Sequence, residues 1–440
     1  MNVNPHLSLR VGIGFVNNAN MAFAYSEGLL KCGVSVTCFL IGRHPFGYKA
    51  PIGVNVQRCD SINEAHEAIL NANLDVFLCL AGTGGTPQQL ESFYLKLKKQ
   101  EVKLVSIHLG SDSRLSCISD TIYYLKSISP CDFSPLARLM ADDVELRASY
   151  VGISDAYSDL VIDNPFSWHL HKRPFLNFHY IGIPLSSNNT ELACRSRLVG
   201  MTDKNSWRKP SLILGHIPSN PLSKGTNEIR RVFSRIMDCS DSRIMQYIPT
   251  RRLVNSQVLD RLSKIDIYID QIYSDMPISV SSLEAMSLGK PTIILGEYLQ
   301  HSSAWSLGIN SYSSITGRPN QLEDILLYLI RELPNEGFRL ELARRMNSWL
   351  DYYSSLKTGS RLSTLLLRLV NGDLDIATLP DDLPWIDPLL SSITEVSFHP
   401  ANLFFRLASQ GFFGQSVDRL LNIGHQRAAF ALVSLINKFS

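Results

Sequence analysis

Glu284 is the residue of this chain whose type and setting best suit ligand chemistry. It follows Ser281 by three positions, inside a run that reads as an apolar strand (Asp266-Ile-Tyr-Ile-Asp-Gln271), a loop, a short helix near Ser282–Leu288, a stop at Gly289 and a second apolar strand ending at Leu295. The spacing places Glu284 in the first turn of that helix. A carboxylate there can accept both hydroxyls of a ribose, and the amides at the same helix end can hold the phosphates attached to it. Ser281 and Glu284 also have the spacing of a capping box, in which the glutamate only reaches back to the cap amide. The ligand reading requires a helix start that faces a cleft. A second candidate is Lys224, in Gly215-His-Ile-Pro-Ser-Asn220-Pro-Leu-Ser-Lys224-Gly225-Thr226. Lys224 and the amides of Gly225 and Thr226 would converge at the start of the helix carrying Ile229, Val232, Phe233 and Ile236, which makes an anion site from dipole, amides and a cation. The alternative is a loop with a surface lysine.

These residues need elements to position them, and the chain supplies an alternation of short apolar strands and helical patterns. That alternation predicts parallel sheets covered by helices. In the first half strands are expected at Val11–Val16, Ser35–Ile41, Asp75–Leu80, Lys103–His108, Val151–Ile153 and His179–Ile181, with helices near Met21–Lys31, Ile62–Asn71 and Pro87–Lys98. In the second half strands are expected at Ser211–Gly215, Ile244–Tyr247, Ile267–Ile269 and Thr292–Leu295, with helices near Asn227–Met237, Ser256–Lys264, Pro319–Arg331 and Arg339–Tyr353. The fold class is therefore α/β, with two Rossmann-like, doubly wound domains facing a cleft and a helical tail. The expected division is an N-terminal Rossmann-like domain at 1–190, a linker at 191–209, a C-terminal Rossmann-like domain at 210–370 and a helical C-terminal extension at 371–440. Helical patterns in the extension include Asn402–Leu407 and Arg427–Lys438. In Ala81-Gly-Thr-Gly-Gly-Thr-Pro87, Thr86 is the expected N-cap and Pro87 the first helical residue.

His216-x-Pro-Ser-Asn220-x-x-x-Lys224-Gly-Thr226, Asp270-Gln271 and Leu283-Glu-Ala-Met-x-x-Gly-Lys-Pro291 together resemble the donor half of a GT-B glycosyltransferase, nearest to the retaining glycosyltransferase family four. Ile107-His-Leu-Gly-Ser-Asp-Ser-Arg114 resembles the same family's His-Gly-Ser-Asp-x-Arg element on the acceptor side. By that resemblance Lys224 binds the donor diphosphate and Glu284 the ribose or nucleotide. Asn220, Gly225, Thr226, Asp275 and Ser279 are assigned to the nucleotide sugar, and His108 to the transferred sugar. The resemblance implies a nucleotide-diphosphate sugar as donor substrate, no further cofactor and no metal. It also implies a saccharide or lipid-linked acceptor, retention at the anomeric carbon, and a place in polysaccharide or glycoconjugate synthesis. This chain departs from the pattern at Pro221 and Leu222, where the family often has a cation, and at Met276, where it often has a glutamate. His108 can alternatively be a satisfied structural residue at a strand end.

The composition limits the remaining classes. A length of 440 residues favours two domains. A formal net charge of +2 argues against a dedicated nucleic-acid partner. Eight scattered cysteines, with no Cys-x-x-Cys pair, fit a reducing cytoplasm better than a disulfide framework. No signal peptide is expected ahead of Leu9, and no apolar run reaches the roughly 18 residues of a membrane span. The expected location is cytoplasmic, with peripheral contact at the inner face of the membrane as the variant a lipid-linked acceptor would require. Two rival functions stand beside the transferase, namely a nucleotide-sugar epimerase of the same fold and a catalytically degenerate scaffold or binding subunit.

Overall fold

Short apolar runs separated by helical patterns form two parallel sheets in the computed structural model. It describes residues 9–42, 46–81, 84–109, 146–164, 171–185, 211–221, 224–239, 243–249, 253–274, 276–296, 314–374 and 379–386. In chain order the first sheet uses β1 (Arg10–Phe15), β2 (Ser35–Ile41), β3 (Asn55–Cys59), β4 (Val76–Leu80), β5 (Lys103–Ile107), β6 (Leu160–Asp163) and β7 (Phe175–Asn177). The second uses β8 (Ser211–Gly215), β9 (Arg243–Tyr247), β10 (Ile267–Gln271), β11 (Thr292–Leu295) and β12 (Ile315–Gly317), and β13 (Trp385–Ile386) returns to the first. The first sheet runs β13-β7-β6-β5-β4-β1-β2-β3, with β13 its one antiparallel member. The second runs β12-β11-β10-β8-β9. Both orders reverse direction around their first strand, which marks them as doubly wound sheets with ligand crevices beyond the carboxyl ends at the reversal. The crevice of the first sheet lies between β1 and β4, and that of the second between β8 and β10.

Besides a helix at 146–157, the described residues form α1 (Met21–Lys31), α2 (Ile62–Leu70), α3 (Pro87–Lys99), α4 (Phe178–Ile181), α5 (Thr226–Cys239), α6 (Asn255–Lys264), α7 (Val280–Ser287), α8 (Leu322–Glu332), α9 (Glu336–Tyr352) and α10 (Ser355–Val370). Thr86 caps α3 and Pro87 opens it. Strands β1, β4 and β5 bury nearly every side chain, as parallel strands covered on both faces must. The core of the second sheet forms where Ile229, Phe233 and Ile236 of α5 and Leu322, Leu326 and Leu329 of α8 meet Ile267, Ile269 and Ile293.

Two expected strands are helical. Residues 146–157 form a helix, so Val151–Ile153 is not a strand. Tyr150, Ile153 and Tyr157 fall at helical spacing and pack on the Phe77 and Phe93 cluster, a periodicity hidden by the short apolar triplet. His179–Ile181 lies in α4, because the Asn177 side chain accepts from the His179 amide at 3.0 Å and starts a turn there. The strands at β3, β6, β7, β12 and β13 lie outside the expected set. The patterns at 402–407 and 427–438, and the expected linker at 191–209, fall outside the described residues.

A C-terminal helix packs back onto the first domain. Helix α10, which the sequence groups with the C-terminal Rossmann-like domain, docks on α1. The two helices cross at Gly28 and Gly359, and a Cβ on Gly28 would lie 2.2 Å from the Ser355 carbonyl oxygen. The segment ending at Leu185 pairs with the turn between α9 and α10: Leu185 N–H donates to Tyr353 O at 2.8 Å, and Ser355 N–H to Leu185 O at 3.2 Å. The Arg361 guanidinium lies 3.9 Å over the Tyr352 ring and donates to the carbonyls of Ile181 and Tyr352. Among the described residues no helix is long and apolar enough to cross a membrane.

Candidate functional site

The carboxyl ends of the two sheets enclose a cleft of about 630 Å³. Asn18 and Ala19, just after β1, reach it from the first crevice; Asn220 and Lys224, after β8, and Ser274 and Met276, after β10, reach it from the second. Its walls are laid down by local rules. The loop after β8 closes as a pinned turn, in which Lys224 N–H donates to Asn220 O at 3.2 Å and Thr226 N–H to Pro221 O at 3.0 Å. Gly225 holds φ at +73°, where a Cβ would meet Ile272 Cγ1 at 2.3 Å, so glycine is required. His216 clamps the turn to the sheet. Its Nδ1–H donates to Ile269 O at 2.9 Å, and its Nε2 accepts from the Thr226 hydroxyl at 2.8 Å. Burial, with the nearby Lys224 charge, lowers the His216 pKa to about 4, so it is neutral and structural. Gly225 and Thr226 thus build the loop under Lys224, and the Thr226 amide is already committed to Pro221.

Asp270, fully buried at the end of β10, organises the floor beside this loop. It accepts from Lys224 Nζ at 2.6 Å, Ser281 Oγ at 2.6 Å, Ser279 Oγ at 2.7 Å and Tyr268 OH at 3.3 Å. Burial alone would raise its carboxyl, but Lys224 and the two serine hydroxyls outweigh burial and hold it below the usual range. Lys224 is therefore paired across the cleft floor rather than standing as an isolated cation. Its ammonium carries three donors, and the contacts to Asp270 and, at 3.5 Å, to Ser281 leave one over.

The expectation for Glu284 changes in one respect. Helix α7 starts at Val280 with Ser279 as N-cap, whose hydroxyl accepts from Ser282 N–H at 3.0 Å. Glu284 therefore lies in the second turn, and the Ser281-to-Glu284 capping box is not formed. Ser281 is drawn to Asp270 instead. Glu284 is 4% exposed and lines the cleft, where one of its carboxylate oxygens, Oε1, accepts from Asn255 Nδ2 at 2.9 Å. The cleft thus brings together Asn220, Lys224, Ser279 and Glu284. His108 is 1% exposed at the end of β5, and its neighbour Leu109 lines the cleft. Asp275, Asp112 and Arg114 lie outside the described residues.

Sequence reasoning missed Asn255, the aromatic pair Phe46 and Tyr48, and a buried triad behind His108. Asn255 opens α6 after an apolar Leu-Val pair, which was the available signal. In the triad His171 donates from Nδ1 to Asp155 at 2.8 Å and from Nε2 to Asp163 at 2.9 Å, with its ring 5.9 Å from His108. Burial opposes a charge on His171, but the two carboxylates outweigh burial and raise its pKa to about 9. An unfolded histidine titrates near pH ~6.5. The raised value adds stability that is whole below that pH and disappears as pH rises through about 9, on the order of 3 kcal/mol in full. His171→Gln is expected to lower the denaturation midpoint at pH 6 and to flatten the loss between pH 7 and 10. Equal losses over that interval in both proteins would exclude the charged triad.

No family model matches the chain, and no curated protein matches it. Among solved structures, AviGT4, a glycosyltransferase involved in avilamycin A biosynthesis, is 13% identical, over 83% of this chain and 99% of its own, at a TM-score of 0.45. Anabaena Alr3699/HepE in complex with UDP and glucose is 10% identical, over 82% and 100%, at 0.43. A UDP-glucosyltransferase from Polygonum tinctorium capable of glucosylating indoxyl is 10% identical, over 83% and 99%, at 0.38. Superpositions this loose bear on neither the ligand nor the reaction of this chain. What the chain itself presents is a doubly wound α/β protein in which, among the described residues, the Glu284 carboxylate and the Lys224 ammonium line a shared cleft.

Proposed function

We propose that the protein is a glycosyltransferase that takes a nucleoside-diphosphate sugar and passes the sugar to a hydroxyl of a saccharide or lipid-linked acceptor. The observation that carries this reading is the placement of Lys224 and Glu284 on one cleft at the crevice of the second sheet, facing the crevice of the first. In this reading Lys224 meets the diphosphate and Glu284 accepts from the ribose hydroxyls, with Asn255 orienting the carboxylate. Negative charge grows on the leaving diphosphate as the glycosidic bond breaks. A fixed ammonium aimed at that charge stabilises the transition state more than the ground state. The leaving phosphate can take the acceptor proton, which gives retention without an enzymic nucleophile. Asn220 and Ser279 border the sugar-phosphate end, and His108 supports the acceptor side through Leu109. Catalysis without metal, transfer of a hexose, a role in polysaccharide or glycoconjugate synthesis, and work in the cytoplasm at the inner membrane face belong to the same proposal.

The epimerase reading needs an acid and a base at the sugar. Among the described residues lining the cleft, Glu284 is the only carboxylate, with Asp270 buried beneath. Incubation with UDP-sugars and no acceptor separates the readings. A transferase releases UDP slowly, as water replaces the acceptor; isomerised sugar nucleotide would establish the epimerase instead. Intact, unbound donor would leave the scaffold reading.

A further inference from the structure

We infer that the first domain supplies an aromatic wall, Phe46 and Tyr48, on which the base of the bound nucleotide packs. The inference rests on the nucleotide reading above and specifies which part of the donor the first domain touches. The groups along the cleft come in an order that matches a nucleoside diphosphate. Lys224 stands at one end, joined to Asp270 and Ser281. Glu284 lies three residues beyond Ser281 on α7, on the same face and about one turn, roughly 5 Å, further along. Asn255 is next, with its side-chain amide on Glu284. Its backbone N–H donates at 3.0 Å to the carbonyl of Phe46, so a single residue joins the glutamate to the aromatic segment of the other domain. Cation, carboxylate and aromatic face thus follow one another as phosphate, ribose and base do.

The far end is shaped for a flat apolar ring. Phe46 and Tyr48 meet edge to face, with centroids 6.1 Å apart and planes at 79°. The second domain contributes Ile217, Pro218, Leu253 and Val258 to the lining of the same cleft. Burial, reinforced by the Glu284 charge, pushes the Tyr48 hydroxyl well above its usual range, so Tyr48 remains a neutral phenol beside the carboxylate. Every nucleobase has a π face, so such a wall gains affinity while discriminating weakly among bases.

The test compares UDP, ADP and inorganic pyrophosphate by calorimetric titration on the intact protein and on Phe46→Ala and Phe46→Leu. The tether from Asn255 goes to a backbone carbonyl, so both variants keep it, and Phe46→Leu preserves most of the apolar volume. The inference predicts that Phe46→Ala weakens UDP and ADP alike by roughly tenfold or more, on the scale of one lost base stack, and leaves pyrophosphate unchanged. Phe46→Leu is expected to fall in the same direction by a smaller factor. If the intact protein binds UDP and both variants bind it equally well, the inference fails while the nucleotide reading survives. Equal loss of UDP and pyrophosphate would show general damage to the cleft, and would also overturn it. If the intact protein binds no nucleotide, both the reading and the inference fall.

Discussion

Lys224→Ala is expected to cost about 3 kcal/mol of folding stability, near the lower end of the range for breaking a buried pair, and to abolish measurable nucleotide binding. A lysine acting only as a ligand contact would weaken binding and leave the thermal transition nearly unchanged; its pairing with Asp270 adds the stability loss. Lys224 and Asp270 are paired at 2.6 Å with side chains 13% and 0% exposed. Removing the ammonium strands a carboxylate in a dry site. The hydroxyls of Ser279, Ser281 and Tyr268 remain to solvate it, which is why the cost stays near the lower end. Asp270 is held below its usual range, so its contribution is present above the unfolded pKa of ~3.9 and is lost as pH falls through the folded value. Without Lys224 that acid limb moves to higher pH. Urea denaturation at pH 7 checks the magnitude, and adding Asp270→Asn to Lys224→Ala should recover most of the stability without recovering binding. A Lys224→Ala protein as stable as the parent would mean that the pair contributes nothing.

Glu284→Gln is the second large effect, and it falls on binding. Glutamine keeps the shape and can still accept from Asn255, so the fold loses little. The charge is lost, and with it hydrogen bonds from two ribose hydroxyls to an anion. Such bonds contribute about 1.5–3 kcal/mol, or about one to two tenfold steps in affinity. The thermal midpoint is expected to stay within a few degrees of the parent. The N-cap of α7 is Ser279, so no capping role of Glu284 can confuse this result. A variant that unfolds while retaining affinity would reverse the assignment.

The contrast between these two residues shows what the chain made legible. The alternation of apolar strands and helices predicted both doubly wound sheets, because parallel strands buried on both faces read as continuous apolar runs. Loops after strand ends then placed Asn220, Lys224 and Glu284 near one another, since doubly wound sheets bind ligands there. The start of α7 was misplaced by two residues for a tertiary reason. Ser281 looked like a cap, but Asp270, eleven residues earlier, takes its hydroxyl and leaves capping to Ser279. The pairing of Lys224 spans 46 residues, and the triad at His171 draws in carboxylates 16 and 8 residues away. No local spacing announces such contacts. The Val151-to-Ile153 triplet hides the helix at 146–157, whose period is carried by Tyr150, Ile153 and Tyr157. The Phe46 and Tyr48 wall comes from the other domain, so it becomes visible only once both sheets are placed around the cleft.

The most direct measurement is calorimetric titration of the intact protein, and of Glu284→Gln, with a panel of nucleoside diphosphates and their sugar derivatives. The account predicts saturable one-to-one binding of at least one of them to the parent, weakened about ten- to hundredfold in Glu284→Gln. No heat of binding to the parent at millimolar ligand, or equal affinity in the two proteins, would contradict it.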